Sequence, residues 1–340
     1  LYQVLKRRGV KFNFLHRLRE VIPSDDATTI DALRIGVQAT TYGGQEYRPL
    51  FDCKGIDCWP SALFYEQLEQ GRELQALAES GFTLEDYDAP WPDVGEVRLE
   101  RGKDFDLVVF GLSLGAVPYV CGRIIEQKKN WREMVEHVRL VDTLAFQFWL
   151  LRNIADLGWP PALDGRNYGE FGILSSFAEP ADTWADMSLL IPLENWNVPV
   201  KNVSYHCGPL RTGSSLETVR DLARKFLAND AGLLWKTSLD RDGKFHRDWL
   251  AIDSPPPNAS DEERFRRQYF RINNQPTEKY VMSVAGSTKY RLDPADTGYA
   301  NLVLAGDWVK NGLALGCVES GVLGGMKGVQ KYCPSMVIVE

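Results

Sequence analysis

One segment, residues 301–329, constrains this chain more than any other. Four apolar residues, Leu302, Val303, Leu304 and Ala305, have the character of a buried strand, and they run into Gly306-Asp307-Trp308. A short loop with Gly312 and Gly316 follows. A helix is expected over 317–330, with Val318, Val322, Leu323, Met326 and Val329 mostly on one side. That helix also carries Gly321, Gly324, Gly325 and Gly328. Each glycine inside a helix costs about 1 kcal/mol relative to alanine. Four of them suit a helix that must approach a sheet or a ligand closely, not one that needs only to be stable. A strand, a glycine turn and a helix N-terminus also gather free backbone N–H groups and a positive dipole end, which is how a fold binds an anion. An ordinary strand–loop–helix crossover with glycine packing stands beside that reading.

Composition narrows the class. With 340 residues, 44% hydrophobic and 25% charged, there is room for about two domains. The net charge of -7 argues against nucleic-acid or anionic-membrane partners. No apolar run is long enough to span a bilayer. The cysteines at 53, 58, 121, 207, 317 and 333, with four scattered histidines, match no zinc pattern. Reduced thiols in a cytoplasmic protein without a metal site are expected. The opening residues Tyr2, Leu5 and Lys6 read as a helix closing at Arg7-Arg8-Gly9, with no initiator Met and no signal peptide. The expectation is a piece of something longer, cleaved or partial.

Periodicity and turn residues place strands at 10–14, 18–22 and 33–38, with a turn at 23–26. They place helices at 63–80, 131–138 and 215–228, and strands at 106–112, 140–151, 280–283 and 302–305. Pro255, Pro256 and Pro257 read as a stiff surface loop. Asn258-Ala-Ser260 matches a glycosylation acceptor, with nothing else pointing to secretion.

The wording of the C-terminal segment is similar to a known family. Leu304-Ala-Gly-Asp-Trp308 followed by Gly316-Cys-Val-Glu-Ser-Gly-Val-Leu-Gly-Gly325 resembles the C-terminal FAD motif of the amine oxidase and phytoene desaturase superfamily. Two earlier segments resemble that family in the right order. Residues 9–22 look like the strand pair holding adenine, with Leu18 at the contact position. Residues 104–116 look like the strand and turn returning to the FAD domain, with Leu112 near the cofactor. The resemblance implies that Gly306 and Asp307 offer N–H groups to the FAD pyrophosphate, and that the Asp307 carboxylate meets a ribityl or ribose hydroxyl. It implies that Gly316, Cys317 and Val318 form the helix start at the flavin pyrimidine edge, and that Trp308 lies near the flavin. Glu319 sits where the family has its helix-start glutamate. One departure matters: the family's Gly-x-Gly-x-x-Gly turn after a first strand is missing from this sequence. An N-terminal segment or a partner chain is expected to carry it.

The resemblance implies an α/β fold: the C-terminal part of a glutathione-reductase-like FAD-binding fold with an inserted mixed α+β substrate domain. FAD-domain strands fall at 1–42, an irregular insertion at 43–103, an FAD strand and turn at 104–120, the substrate domain at 121–283, and the last FAD strand and helix at 284–340. The implied function is oxidation of a C–N or C–C bond of a hydrophobic or aromatic small molecule, by hydride transfer to FAD. A carotenoid-type desaturase or isomerase is one alternative, and a non-catalytic subunit keeping the fold is another. The family's amine oxidases place a lysine near the flavin from a substrate-domain strand. Aligned by pattern, Thr143 takes that place, which moves weight away from an oxidase. The region 140–209 is dense in aromatic residues: Phe146, Phe148, Trp149, Trp159, Tyr168, Phe171, Phe177, Trp184, Trp196 and Tyr205. Such residues build cores more often than sites. Phe146, Phe148 and Trp308 are the substrate-pocket candidates. His206 is a tempting acid–base group but reads as a hydrogen-bonded structural residue, and no catalytic residue is named. Oligomeric state is left open.

Overall fold

The computed structural model describes residues 1–159, 172–254, 256, 258–333 and 335. Tyr168, Phe171, Pro255 and Pro257 lie outside the described residues. The chain is a mixed α/β protein of two compact units. The first holds Leu1–Phe51, Trp59–Leu140 and Gln275–Glu340, and the second holds Asp52–Cys58 and Val141–Asn274. These boundaries differ from the expected segments, since 59–103, 121–140 and 275–283 pack with the first unit. The cause is visible at the helix Lys129–His137. It buries Trp131 and Met134 completely in the first unit's core, and the Trp131 indole donates to the Thr297 carbonyl at 2.9 Å.

The first unit contains two sheets. In one, Ile30–Val37 pairs antiparallel with His16–Pro23 on one side and Gly95–Glu100 on the other. In the other, the short strands Val108–Phe110 and Leu302–Leu304 run parallel, with Leu302 opposite Val108 and Leu304 opposite Phe110. Leu302, Val303 and Leu304 are fully buried, as their unbroken apolar run requires. Asn301 joins the two sheets. Its side-chain oxygen accepts the Ile30 N–H at 2.7 Å, and its amide donates to the Ile30 carbonyl at 2.9 Å.

Two expected elements of this unit are corrected. Residues 10–14 form no strand. Leu15 turns the backbone at φ 60°, and the rings of Phe12 and Phe14 pack instead against Tyr2 (4.7 Å from Phe12) and Trp59 (6.1 Å from Phe14). The expected helix over 63–80 is only Gly71–Glu79, preceded by a 3-10 turn at Tyr65–Gln67. A side chain at Gly71 would lie 2.0 Å from the Tyr65 carbonyl, so the chain doubles back there before the helix can start.

Among the described residues, the second unit is built on one main sheet. Its strands lie in the order Tyr269–Asn273, Arg139–Leu150, Asn202–Leu210, Thr183–Asp186 and Ile173–Leu174, each antiparallel to its neighbour. Along Arg139–Leu150 the period of two puts Leu144, Phe146, Phe148 and Leu150 into the core. The helix Leu216–Lys225 covers that core. Ser215 starts it: its hydroxyl accepts the Thr218 N–H at 3.2 Å, while its own N–H donates to the Thr218 hydroxyl at 3.2 Å. The helix widens into a π turn, Phe226–Asp230, that buries Phe226 and Leu227. Among the described residues no helix is long and apolar enough to cross a membrane.

Candidate functional site

The candidate site grows from the turn after Leu302–Leu304. Gly306 has φ 147°, and a Cβ there would lie 2.6 Å from the Trp308 indole nitrogen, so only glycine fits. Trp308 is 1% exposed. Its indole N–H donates to the Leu112 carbonyl at 3.1 Å, and its ring meets the edge of Phe110 at 6.5 Å. It therefore fixes the turn to the end of the neighbouring parallel strand, and packing accounts for it fully. Arg291, also buried, donates to the Asp307 carbonyl at 2.7 Å and to the Ser283 hydroxyl at 3.0 Å. Burial pushes the Arg291 pKa down. Burial pushes the Asp307 carboxyl up, opposed by its own and the Trp308 backbone N–H and by the Arg291 charge.

The helix Val318–Gln330 begins beside this turn. Cys317 caps it, its sulfur accepting the Ser320 N–H at 3.4 Å. The Glu319 carboxyl is held below the usual range, first by its own backbone N–H and then by Cys317. Asn311 locks the approach loop. Its amide donates to the Ser320 hydroxyl at 2.6 Å and carbonyl at 3.0 Å, and its oxygen accepts the N–H groups of Leu313 (3.0 Å) and Ala314 (3.1 Å). Gly316 lies against the Tyr280 ring, whose hydroxyl accepts its N–H at 3.1 Å. Backbone N–H groups thus favour the charged form of both carboxyls, those of Asp307 and Trp308 at the turn and that of Glu319 at the helix start.

The four helix glycines separate into two pairs. A Cβ at Gly324 would stand 2.4 Å from the Gly306 carbonyl, and one at Gly328 would stand 2.7 Å from the Leu304 carbonyl. Close packing on the strand and turn explains both. Around Gly321 there is nothing within 4 Å, and around Gly325 only the Ala305 Cβ, at 3.9 Å. Val318 is 80% exposed and Val322 54% exposed. Positions 318, 321, 322 and 325 share one helix face. That face is small and apolar, with its two valines exposed and its two glycines partly buried.

Leu18 and Leu112 come together from distant parts of the sequence. With Val21, Ile35, Val97 and Phe110 they line one apolar cleft of about 620 Å³ in the first unit. The fold brings five candidates, Gly306, Asp307, Gly316, Cys317 and Val318, to the turn and helix start, and it places Leu18 and Leu112 in this cleft. The Trp308–Leu112 hydrogen bond ties the turn to the cleft's edge. Phe146 and Phe148 go elsewhere. Both are fully buried in the second unit's core, where they pack on each other at 5.2 Å and on Phe226 at 6.0 and 6.5 Å, so packing and not a pocket accounts for their burial.

His206 lies in that same core, 0% exposed, with its Nε2 3.0 Å from the Ser204 hydroxyl. That hydroxyl also accepts the Trp184 indole N–H at 2.7 Å. Burial lowers the His206 pKa to about 3, so the ring is neutral and structural. Thr143 accepts a hydrogen bond from the Asn273 amide at 3.0 Å. Arg291, Asn311 and Tyr280 were not singled out from sequence. Each is an isolated polar residue in a loop or short strand, and only its tertiary contacts mark it.

No family model and no curated protein matches the chain. Among solved structures, it is similar to an oxidoreductase from Methanosarcina mazei, with a TM-score of 0.44 and 12% identity, over 96% of this chain and 51% of that one. The chain thus spans about half the length of that protein. So distant a likeness bears on neither activity nor cofactor.

Proposed function

We propose that the first unit is half of an FAD site in a flavin-dependent oxidoreductase. Its other half, a strand, a glycine turn and a helix, comes from a preceding segment or a partner chain. The observation that carries this reading is the pair Gly321 and Gly325. They weaken the helix by about 1 kcal/mol each relative to alanine, yet no close contact among the described residues requires them. An occupant from outside that approaches the backbone gives them a reason. The residues present fit the cofactor. The backbone N–H groups of Asp307, Trp308 and Glu319 favour the charged form of the carboxyls beside them, which suits an anionic group at the turn and the helix start. Leu18 and Leu112 supply apolar walls.

Bound FAD would supply a two-electron hydride acceptor. The chain's own part is to bind and orient. Gly306 and Asp307 would hold the pyrophosphate by backbone N–H, and the Asp307 carboxylate would take a ribityl or ribose hydroxyl. The helix start at Gly316, Cys317 and Val318 would favour negative charge at the pyrimidine edge. The substrate class is a hydrophobic or aromatic small molecule oxidised at a C–N or C–C bond. Because Arg139–Leu150 contains no lysine, dehydrogenation or desaturation is favoured over the oxidase chemistry of the amine oxidases.

The test is hydrogen exchange of the purified chain with millimolar FAD. Protection of residues 306–308 and 317–325 is expected, weakened at least about tenfold in apparent affinity by Gly325→Leu. Riboflavin, which lacks the pyrophosphate, should protect less. No protection at either segment, or tight FAD binding by the isolated chain, would overturn the half-site reading.

A further inference from the structure

A second chemical feature lies apart from the glycine turn. The strands Phe51–Cys53 and Ile56–Cys58 form a hairpin across Lys54 and Gly55, whose φ angles are 54° and 82°. Two positive φ values define a tight two-residue turn. Such a turn sets Cys53 opposite Ile56 and Phe51 opposite Cys58. Side-chain alternation then puts both cysteines on one face as diagonal neighbours. Both are free thiols and both are partly exposed. The Cys58 thiol is pushed up by burial, then by the nearby Cys53 and by Asp52 and Asp57.

The hairpin tip is held by a few polar contacts within the second unit. The Cys53 thiol donates to the Leu193 carbonyl at 3.3 Å and accepts the Asn195 amide at 3.6 Å. The Lys54 ammonium donates to the Pro192 carbonyl at 3.1 Å and to the Glu194 carbonyl. The Glu194 carboxylate in turn accepts the indole N–H groups of Trp149 at 3.0 Å and Trp196 at 2.7 Å.

We propose that Cys53 and Cys58 are a modification site, a dithiol that closes reversibly to a disulfide by exchange with a small cationic disulfide, and that closure loosens the hairpin from residues 192–195. In the first step the Cys53 thiolate attacks one sulfur of the small disulfide and expels one small thiolate. In the second, the Cys58 thiolate attacks the mixed disulfide at the Cys53 sulfur and expels the other. One S–S bond breaks and one forms; the two cysteines are oxidised, the small disulfide is reduced, and the two cysteine protons end on the two small thiols. Cys58 suits the second step, because its raised pKa makes it the poorer first nucleophile near neutral pH. The cationic preference follows from Asp52 and Asp57, exposed acids that flank the pair. The release follows from the bond count: a disulfide has no S–H, so the Cys53–Leu193 hydrogen bond cannot survive closure.

The test treats the reduced chain with cystamine or with glutathione disulfide, an anion, and follows it by alkylation and peptide mapping. Cystamine should close Cys53–Cys58 on the order of tenfold faster at low salt, with the gap narrowing as salt rises. Hydrogen exchange at 192–195 should quicken on closure. Cys53→Ala should quicken it without oxidant, and Cys53→Ser, which keeps a donor, should not. Both thiols remaining alkylatable under excess cystamine, or a mixed disulfide that Cys58 never resolves, would overturn the site. Equal rates for the two disulfides would overturn the cationic preference. Unchanged exchange at 192–195 in the closed form would overturn the release.

Discussion

The two units differ in how completely they bury their apolar surface. In the second, six large aromatic side chains, Phe146, Phe148, Trp184, Phe226, Trp235 and Phe265, are 3% exposed or less, and four of them, Phe146, Phe148, Phe226 and Trp235, pack around a neutral histidine. In the first, among the described residues, the parallel sheet has only two strands, Val109 is 51% exposed, and a helix face holds two glycines with no close contact to explain them. Parallel strands are normally covered on both faces. A core that closes on itself leaves little apolar surface for an occupant, whereas the partly exposed helix face beside the Gly306–Asp307 turn leaves room for one. Aromatic density in the sequence pointed to the second unit for a pocket. The geometry puts the better case for a site in the first, where small residues cluster.

Four measurements would break or sharpen that contrast. The largest effect is expected in the closed core. Trp184→Ala removes a fully buried indole and its bond to Ser204, and should lower unfolding stability by about 3–5 kcal/mol in denaturant titration. A loss under 1 kcal/mol would show that this core is not close-packed.

The next concerns acid. His206 titrates near 3 when folded and near 6.5 when unfolded, so between those values the unfolded chain binds more protons. Its contribution is fully present above about pH 6.5 and is lost as pH falls through that window. His206→Gln should flatten the decline in stability between pH 6.5 and 4. An unchanged slope would mean that the ring takes up a proton in place.

The remaining two bear on the glycine helix. Gly324→Ala should destabilise by about 1–3 kcal/mol, because the Gly306 carbonyl is backbone and cannot swing aside. Gly321→Ala is expected to act in the opposite direction. With open space around it, the added methyl should stabilise the isolated chain by about 0.5–1 kcal/mol while weakening FAD protection of the helix. If Gly321→Ala destabilises, the distinction between packed and unpacked glycines fails.

Much of the fold was legible in the sequence for identifiable reasons. Arg139–Leu150 alternates apolar and polar residues, and Leu302–Leu304 is uniformly apolar, so the two patterns announce one strand half-buried and one buried throughout. The helix Leu216–Lys225 carries its capping residue next to it in sequence. The strand expected at 10–14 failed because its aromatic residues found ring partners, which periodicity cannot register. The glycines of the last helix were visible as a peculiarity, but their separation into two that pack and two that do not was invisible. Arg291 and Asn311 left no signal at all, since their value lies in tertiary contacts, Arg291 to the Asp307 carbonyl and Asn311 to Ser320 of the last helix.

By itself the sequence determined the local elements and the residue chemistry they carry: the apolar strand, the Gly306-Asp307 turn and the glycine-rich helix. These follow from interactions between residues close in the chain, where spacing and residue type suffice. Only the tertiary structure decided that Leu18 and Leu112 share a cleft, that Trp308 is sealed against Phe110, and that His206 is dry. Burial and distance depend on which far-separated segments meet. The same residue that is a reactive group in water becomes, once packed, part of the scaffold.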